Sequence, residues 1–201
     1  MEKNDKKMNY FSQKTGKFYQ ILPTKTVPAL RINAVPMHRF AKIDPAEHTR
    51  RIIAAAVPHG KVLDICTGLG YTAILSAKMQ GVKEVTTIEK DSEVLGLCRI
   101  NEASSALFKN RKIRMFEGDA AEKIKEFGSD YFDCVIHDPP TFVVASELYS
   151  RPFYSEMYRV LKNGGRLWHY APEPGKAKGK AHSTSNALRK RLRPKFPSTN
   201  V

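Results

Sequence analysis

The sequence predicts an α/β fold built on a doubly wound, mostly parallel sheet, and three observations carry that expectation. The first is Lys61-Val62-Leu63-Asp64-Ile65-Cys66-Thr67-Gly68-Leu69-Gly70-Tyr71-Thr72-Ala73-Ile74, an apolar run followed by a two-glycine turn and a helix-like pattern. Strand, glycine turn and helix make the entry to a nucleotide site, because glycine permits a sharp turn and close approach of a ligand. The second is Val85-Thr86-Thr87-Ile88-Glu89, another strand-like run, ending in an acid about nineteen residues beyond Gly70. A carboxylate at that place can accept both hydroxyls of a ribose. The third is the alternation of strand and helix patterns from residue 44 to residue 170, which implies parallel strands joined by right-handed crossovers.

The elements follow in order. Residues 1–19 are polar and read as frayed or loosely packed. Residues 21–39 hold two short extended stretches punctuated by Pro23, Pro28 and Pro36, the pattern of a small β-hairpin or edge element. Asp44 and Pro45 mark the cap and first residue of a helix that turns Ile52, Ile53 and Ala56 inward and stops near Pro58. Strand 62–66 then leads to helix 72–79, closed by Gly81. Strand 85–89 leads to helix 92–107, capped by Asp91. Strand 112–116 leads through Gly118-Asp119 to helix 121–127. Strand 132–137 leads through Asp138-Pro139-Pro140 and a loop to helix 152–161. The turn Asn163-Gly164-Gly165 precedes a fifth strand over 166–170. Residues 171–181 read as a flexible loop and 186–192 as a last short helix, with no strand after it. The division expected is an N-terminal extension with a small β element (1–43), a ligand-binding α/β domain (44–170) and a basic tail (171–201).

The formal net charge of +14 is placed at the two ends. Residues 1–51 carry a net +7 and residues 171–201 another +7, leaving 52–170 neutral. Basic ends suit phosphate backbones, or serve as solvated tails. No apolar run approaches the roughly 20 residues of a membrane helix, and no apolar segment follows the basic start as a secretory leader requires. Cys66, Cys98 and Cys134 fit neither a disulfide framework nor a zinc site. They read as reduced, mostly buried thiols of a cytoplasmic protein without a metal.

Ligands of an open parallel sheet bind beyond the carboxyl ends of its strands. Polar groups fall there in series: Asp64 with the Gly68/Gly70 turn, then Glu89, then Gly118-Asp119-Ala120, then His137-Asp138-Pro139-Pro140. Asp119 equally suits a helix cap, and His137 equally suits a packed core histidine.

On these motifs the chain resembles the class I S-adenosylmethionine-dependent methyltransferases, a Rossmann-like fold. The resemblance covers roughly residues 44–170 and includes Tyr158-Arg159-Val160-Leu161-Lys162-Asn163-Gly164-Gly165. More narrowly, Met37-His38-Arg39, Cys66-Thr67-Gly68-Leu69-Gly70-Tyr71-Thr72, His137-Asp138-Pro139-Pro140 and Glu147-Leu148-Tyr149-Ser150 resemble an archaeal group of methyltransferases related to spermidine synthases. The resemblance implies S-adenosylmethionine as cofactor. It implies that Asp64, Cys66, Thr67, Gly68 and Gly70 surround its methionine part and that Glu89 binds the ribose. Lys90, Asp119 and Ala120 fall to the adenosine side, with Asp119 and the Ala120 amide facing the adenine. Asp138, with His137, falls to the reacting centre, and Pro139, Phe142 and Tyr149 to the substrate. Families of this type often carry glycine where Cys66 stands. In amine-directed relatives an aromatic residue follows the proline pair, whereas here Thr141 stands there and Phe142 comes one later. The class usually ends with two further strands, so this sheet is expected to be truncated at its C-terminal edge.

Three functions follow as expectations. The leading one is methyl transfer from S-adenosylmethionine to an amine or other nucleophile on a small molecule, a protein or RNA. The second is aminopropyl transfer from the decarboxylated cofactor, because residues 21–39 resemble the small N-terminal β-region of spermidine synthases. Against it, residues 140–160 offer only Glu147 and Glu156 as acids. The third is a non-catalytic, cofactor-binding nucleic-acid module that uses the basic ends. A homo-oligomer is compatible with each.

Overall fold

A computed structural model describes residues 9–38, 41–142 and 144–170. The expected loop at 171–181, the helix at 186–192, the basic tail and Arg39 lie outside the described residues. No described helix is long and apolar enough to cross a membrane.

Among the described residues nine strands and six α-helices form two sheets and their flanking layers. The first sheet is antiparallel, with order β1 (Asn9–Ser12), β2 (Lys17–Leu22), β3 (Ala29–Ile32) and β4 (Val35–Pro36). It corrects two expectations: residues 9–12 and 17–22 are strands rather than frayed chain, and the N-terminal element has four strands rather than a hairpin. The cause is alternation hidden by polar composition. Ser12, Tyr19, Ile21 and Leu30 point into the protein, while Phe11 and Phe18 face outward as a cross-strand pair.

Helix α1 (Pro45–Ala56) follows. Asp44 caps it by accepting the Ala46 N–H at 3.0 Å, and Val57 ends it in the left-handed conformation before Pro58. The second sheet is wholly parallel, order β7-β6-β5-β8-β9. Its strands are β5 (Gly60–Ile65), β6 (Val82–Glu89), β7 (Ile113–Glu117), β8 (Phe132–His137) and β9 (Leu161–His169). Helix α2 (Tyr71–Lys78) joins β5 to β6 and α6 (Arg151–Val160) joins β8 to β9. Among the described residues β9 closes one edge of the sheet; the stretch after 170, where the class carries its two further strands, lies outside them.

Two elements differ from their expected outlines. The helix expected over 92–107 is broken into α3 (Ser92–Ile100), a 3₁₀ turn at Glu102–Ser104 and α4 (Ala106–Lys109). Asn101 takes an extended conformation at the break. Its amide donates to Tyr71 Oη (3.0 Å) and Ser104 Oγ (2.8 Å), tertiary and local bonds that offset the lost helical ones. Strand β9 starts five residues early, at Leu161. Phe132 pairs with Leu161 and Cys134 with Arg166, so Asn163-Gly164-Gly165 forms an irregularity inside the strand, with Gly164 at φ +76°.

Side-chain alternation sorts the sheet into two faces. Val62, Val85, Cys134 and Ile136 pack with α1, α2, α3 and the small sheet through Tyr19, Ile21 and Leu30. Leu63, Ile65, Ile88 and Val135 pack with α6 and with α5 (Ala120–Lys123). Both faces are covered, which is why β5 and β8 read as near-continuous apolar runs.

Gly70 stands at φ +79° as the cap of α2, and a Cβ there would lie 3.0 Å from both Leu107 methyl carbons. Gly70→Ala should therefore destabilise the protein by about 1–3 kcal/mol, from left-handed strain and crowding. A thermal denaturation midpoint equal to wild type would contradict this account of the turn.

Candidate functional site

Parallel register brings the strand ends level. Ile65 pairs with Ile88 on one side and His137 on the other, so Cys66, Glu89 and Asp138 each begin just beyond the sheet at one height. Alternation then places Asp64, Thr87, Glu89 and Asp138 on the α1/α2 face and His137 on the other.

The turn after β5 is built from unusual backbone. Cys66, Gly68 and Gly70 have φ of +71°, +54° and +79°. Cysteine thus holds a left-handed conformation that costs about 1–2 kcal/mol with a Cβ, at the place where related families often carry glycine. The Cys66 and Thr67 N–H groups donate to Ile88 O at 3.1 and 3.0 Å. From below, Cys98 Sγ donates to Gly68 O (3.0 Å) and Ser104 Oγ to Leu69 O (2.7 Å).

Four carboxylates converge on this turn. The Cys66 thiol is pushed well above its usual range, first by burial and then by Glu89, Asp138, Asp64 and Asp119. Glu89 is bonded to the loop itself: Oε2 accepts the Gly68 N–H at 2.9 Å and Oε1 the Asp91 N–H at 3.0 Å. Burial raises its pKa, and those amides hold it back. Asp64 is fully buried; Oδ2 accepts from Thr87 Oγ1 (2.9 Å), and Thr87 in turn lies 2.6 Å from Thr67 Oγ1. Asp64 Oδ1 has no hydrogen-bond partner among the described residues.

Burial, with smaller contributions from Asp138 and Glu89, lifts the Asp64 carboxyl from 3.8 to about 7. Above about pH 7 the carboxylate is therefore preferred in the folded protein, and below it the neutral acid. Its contribution to stability is complete below about pH 4 and is lost as pH rises through about 7. The melting temperature of wild type relative to Asp64→Asn should fall across that window in the ligand-free protein. A difference that stays flat from pH 4 to 8 would remove the buried acid from this account.

The Asp119 end of the site is more exposed. Asp119 caps α5 through the Ala121 N–H (2.9 Å), and the Lys90 ammonium sits 2.6 Å from its other oxygen. Burial pushes the Asp119 carboxyl up, but Lys90 and the amide outweigh it and bring it below its ordinary value. Lys90 also faces Glu147 at 3.8 Å. Ala120 is buried at the head of α5.

On the fourth strand end, Asp138 is half-buried and Pro139 buried. The Asp138 charge reaches Asp64, Cys66 and Tyr149, raising the pKa of each. Tyr149, 4% exposed on a 3₁₀ turn, donates its hydroxyl to Pro140 O at 2.7 Å. Phe142 is 58% exposed and meets Tyr149 edge-on at 5.7 Å. His137 lies on the other face of its strand and touches this group through Tyr149, whose ring centroid is 6.2 Å from its own. It is fully buried, stacked on His169 at 4.6 Å and enclosed by Phe153 and Tyr154. Neither of its ring nitrogens has a hydrogen-bond partner among the described residues. Burial, then His169, holds its pKa well below the ordinary value, so the ring is neutral.

Sequence reasoning missed the part played by the small sheet. Tyr10 Oη and Ser12 Oγ each donate to Glu93 at 2.7 Å, and Tyr19 Oη donates to Asp91 at 2.7 Å. Lys17 adds an ion pair to Asp91 at 3.3 Å. The first turn of α3, immediately beyond Glu89, is thus clasped by β1 and β2. His38 also reaches the site, with Cε1 3.8 Å from where a Cβ on Gly68 would stand. No periodicity marks these contacts, which join residues more than seventy positions apart or lie after a two-residue strand.

Among the described residues no group of three or more His, Cys, Asp or Glu is placed to hold a metal ion. The donor set instead fits an adenosine-bearing sulfonium. It offers a glycine turn where only His38 comes within 4 Å of a Cβ built on Gly68, a strand-end carboxylate beside it, and a buried acid with an oxygen that no described residue bonds.

The chain belongs to the methyltransferase small domain family, whose pattern matches residues 41–184. An uncharacterized protein of Methanocaldococcus jannaschii is 48% identical over 178 residues, covering 88% of this chain and 60% of the relative. Polyamine aminopropyltransferase 2 of Streptomyces coelicolor is 32% identical over 116 residues, 55% of this chain and 21% of that protein. Putrescine N-methyltransferase 2 of Nicotiana attenuata is 27% identical over 107 residues, 52% of this chain and 29% of that protein. The chain therefore spans less than two thirds of each of these relatives. In fold it is similar to the spermidine synthase of Thermotoga maritima, with TM-score 0.74 at 19% identity over 94% of this chain and 63% of that one.

Proposed function

We propose that the protein transfers the methyl group of S-adenosylmethionine to an amine of a small molecule. The observation that carries this reading is the convergence of Asp64, Glu89, Asp119 and Asp138 around Cys66 in a chain of net charge +14. An acidic cleft in a basic protein suits a cationic cofactor and an amine acceptor. The relatives named for putrescine methylation and for aminopropyl transfer both act on amines by their names.

When bound, S-adenosylmethionine supplies a methyl group already activated on a sulfonium. The protein therefore needs to align the acceptor and exclude water rather than create a strong nucleophile. Glu89 accepts the ribose hydroxyls, Asp119 and the Ala120 amide meet the adenine, and the turn 66–70 with Asp64 surrounds the methionine part. Asp138 and the carbonyls of Pro139 and Pro140 accept N–H bonds of the acceptor amine, and the carboxylate takes up the positive charge that grows on its nitrogen. The proline pair and the Tyr149 hydroxyl stiffen this loop, and exposed Phe142 offers an apolar wall for the acceptor. His137, packed on the opposite face, anchors the strand end that carries Asp138.

The four-stranded sheet docked on α3 also supports a second reading, aminopropyl transfer from decarboxylated S-adenosylmethionine. Incubation with each cofactor and a panel of polyamines, followed by mass spectrometry, separates the two. A product heavier by one methyl supports the first reading, and one heavier by an aminopropyl group supports the second. Neither product from any amine, with cofactor bound, would overturn the amine acceptor.

A further inference from the structure

Above the glycine turn stands a residue that the strand ends do not supply. His38 follows β4 and is half-buried, with its ring 5.4 Å from that of Tyr71 and Cε1 3.8 Å from the place of a Gly68 Cβ. Its Nδ1 accepts the Leu30 N–H at 3.2 Å. That bond fixes the tautomer, because a neutral imidazole accepting at Nδ1 carries its proton on Nε2. Burial, and then His48, lower its pKa to about 4, so the neutral form prevails near pH 7. The small sheet thus holds an N–H donor over the turn. Glu89 lies on the same residue, bonded to the Gly68 N–H.

The surrounding charge gives this donor a task. Asp64, Glu89, Asp119 and Asp138 make the cleft acidic, which favours a sulfonium and an ammonium but repels an α-carboxylate. The nearby Lys90 ammonium is held by Asp119 at 2.6 Å and faces Glu147 at 3.8 Å. A cofactor that carries a carboxylate therefore needs donors from elsewhere. We infer that the Nε2–H of His38 binds the α-carboxylate of the cofactor's amino-acid end, making His38 the residue that distinguishes S-adenosylmethionine from its decarboxylated form. The inference rests on the reading that the turn 66–70 holds the methionine part.

The chemistry of histidine allows a clean test. His38→Asn keeps an acceptor in place of Nδ1 for the Leu30 N–H and withdraws the distal donor. His38→Gln reaches far enough to return a donor near Nε2. Calorimetry with the full chain should show His38→Asn weakening S-adenosylmethionine about tenfold, as for one lost charged hydrogen bond. Affinity for decarboxylated S-adenosylmethionine should change by less than about twofold, since no carboxylate is there to lose. His38→Gln should recover most of the lost affinity, and the melting temperature of the Asn variant should stay near that of wild type. Equal weakening of both ligands, or unchanged affinity for S-adenosylmethionine, would overturn the inference while leaving the cofactor reading intact. Wild-type protein that binds neither ligand would overturn both.

Discussion

Glu89→Ala is expected to bind S-adenosylmethionine at least about a hundredfold more weakly than wild type. Two consequences add. The ribose loses both acceptors, each charged hydrogen bond being worth about 1.5–3 kcal/mol. The turn loses the carboxylate that ties the Gly68 and Asp91 amides together at 2.9 and 3.0 Å. A thermodynamic cycle separates them. A cofactor analogue lacking the ribose 2′- and 3′-hydroxyls should bind wild type much more weakly than S-adenosylhomocysteine does, yet the two should bind the alanine variant almost alike. If the variant still discriminates strongly between them, the ribose is held elsewhere. Glu89→Gln keeps the shape but has a single acceptor oxygen, and it should fall between the two.

The parallel core was legible because period and position agreed. Val62 to Ile65, Val85 to Ile88 and Phe132 to Ile136 are β-rich runs, each followed by a turn or a capping acid, and a parallel sheet buried on both faces calls for such runs. The strand-end rule gathered Asp64, Glu89, Asp119 and Asp138 without any knowledge of distance, and the charge of each reaches the Cys66 thiol. What could not be read depends on partners far along the chain. Asn101 is tolerated in helices, and only its bond to Tyr71 shows why the helix breaks there. Tyr10 and Tyr19 look like surface residues until Asp91 and Glu93 are placed against them. His38 stands in the phrase Met37-His38-Arg39, from which no role followed; its place beside the turn comes from Gly68 across the fold.

His137 and Asp138 are neighbours at the end of a strand, so alternation sends them to opposite faces. The expectation that paired them at the reacting centre ignored that period. In the structure His137 lies among Phe153, Tyr154 and His169 under α6, while the charge of Asp138 reaches Asp64 and Cys66. Their proposed roles part accordingly, one anchoring the strand end and the other meeting the acceptor.

Asp138→Ala should lower kcat by about 10²–10⁴-fold on the amine identified by mass spectrometry, the range for a group that positions a nucleophile and compensates its growing charge. Cofactor affinity should change by less than about threefold, because the contacts assigned to adenosine are made by Glu89, Asp119 and the turn. Asp138→Asn keeps hydrogen-bond acceptance and removes the charge, so it tells the two tasks apart. A loss as large as that of alanine assigns the effect to charge, and a loss well below it assigns the effect to orientation. His137→Phe, which fills the same aromatic cage without a ring nitrogen, should retain most of the turnover if the histidine only anchors the strand. Full activity in both Asp138 variants, or a collapse confined to His137→Phe in a protein that still melts like wild type, would move the reacting centre to the other face of the sheet.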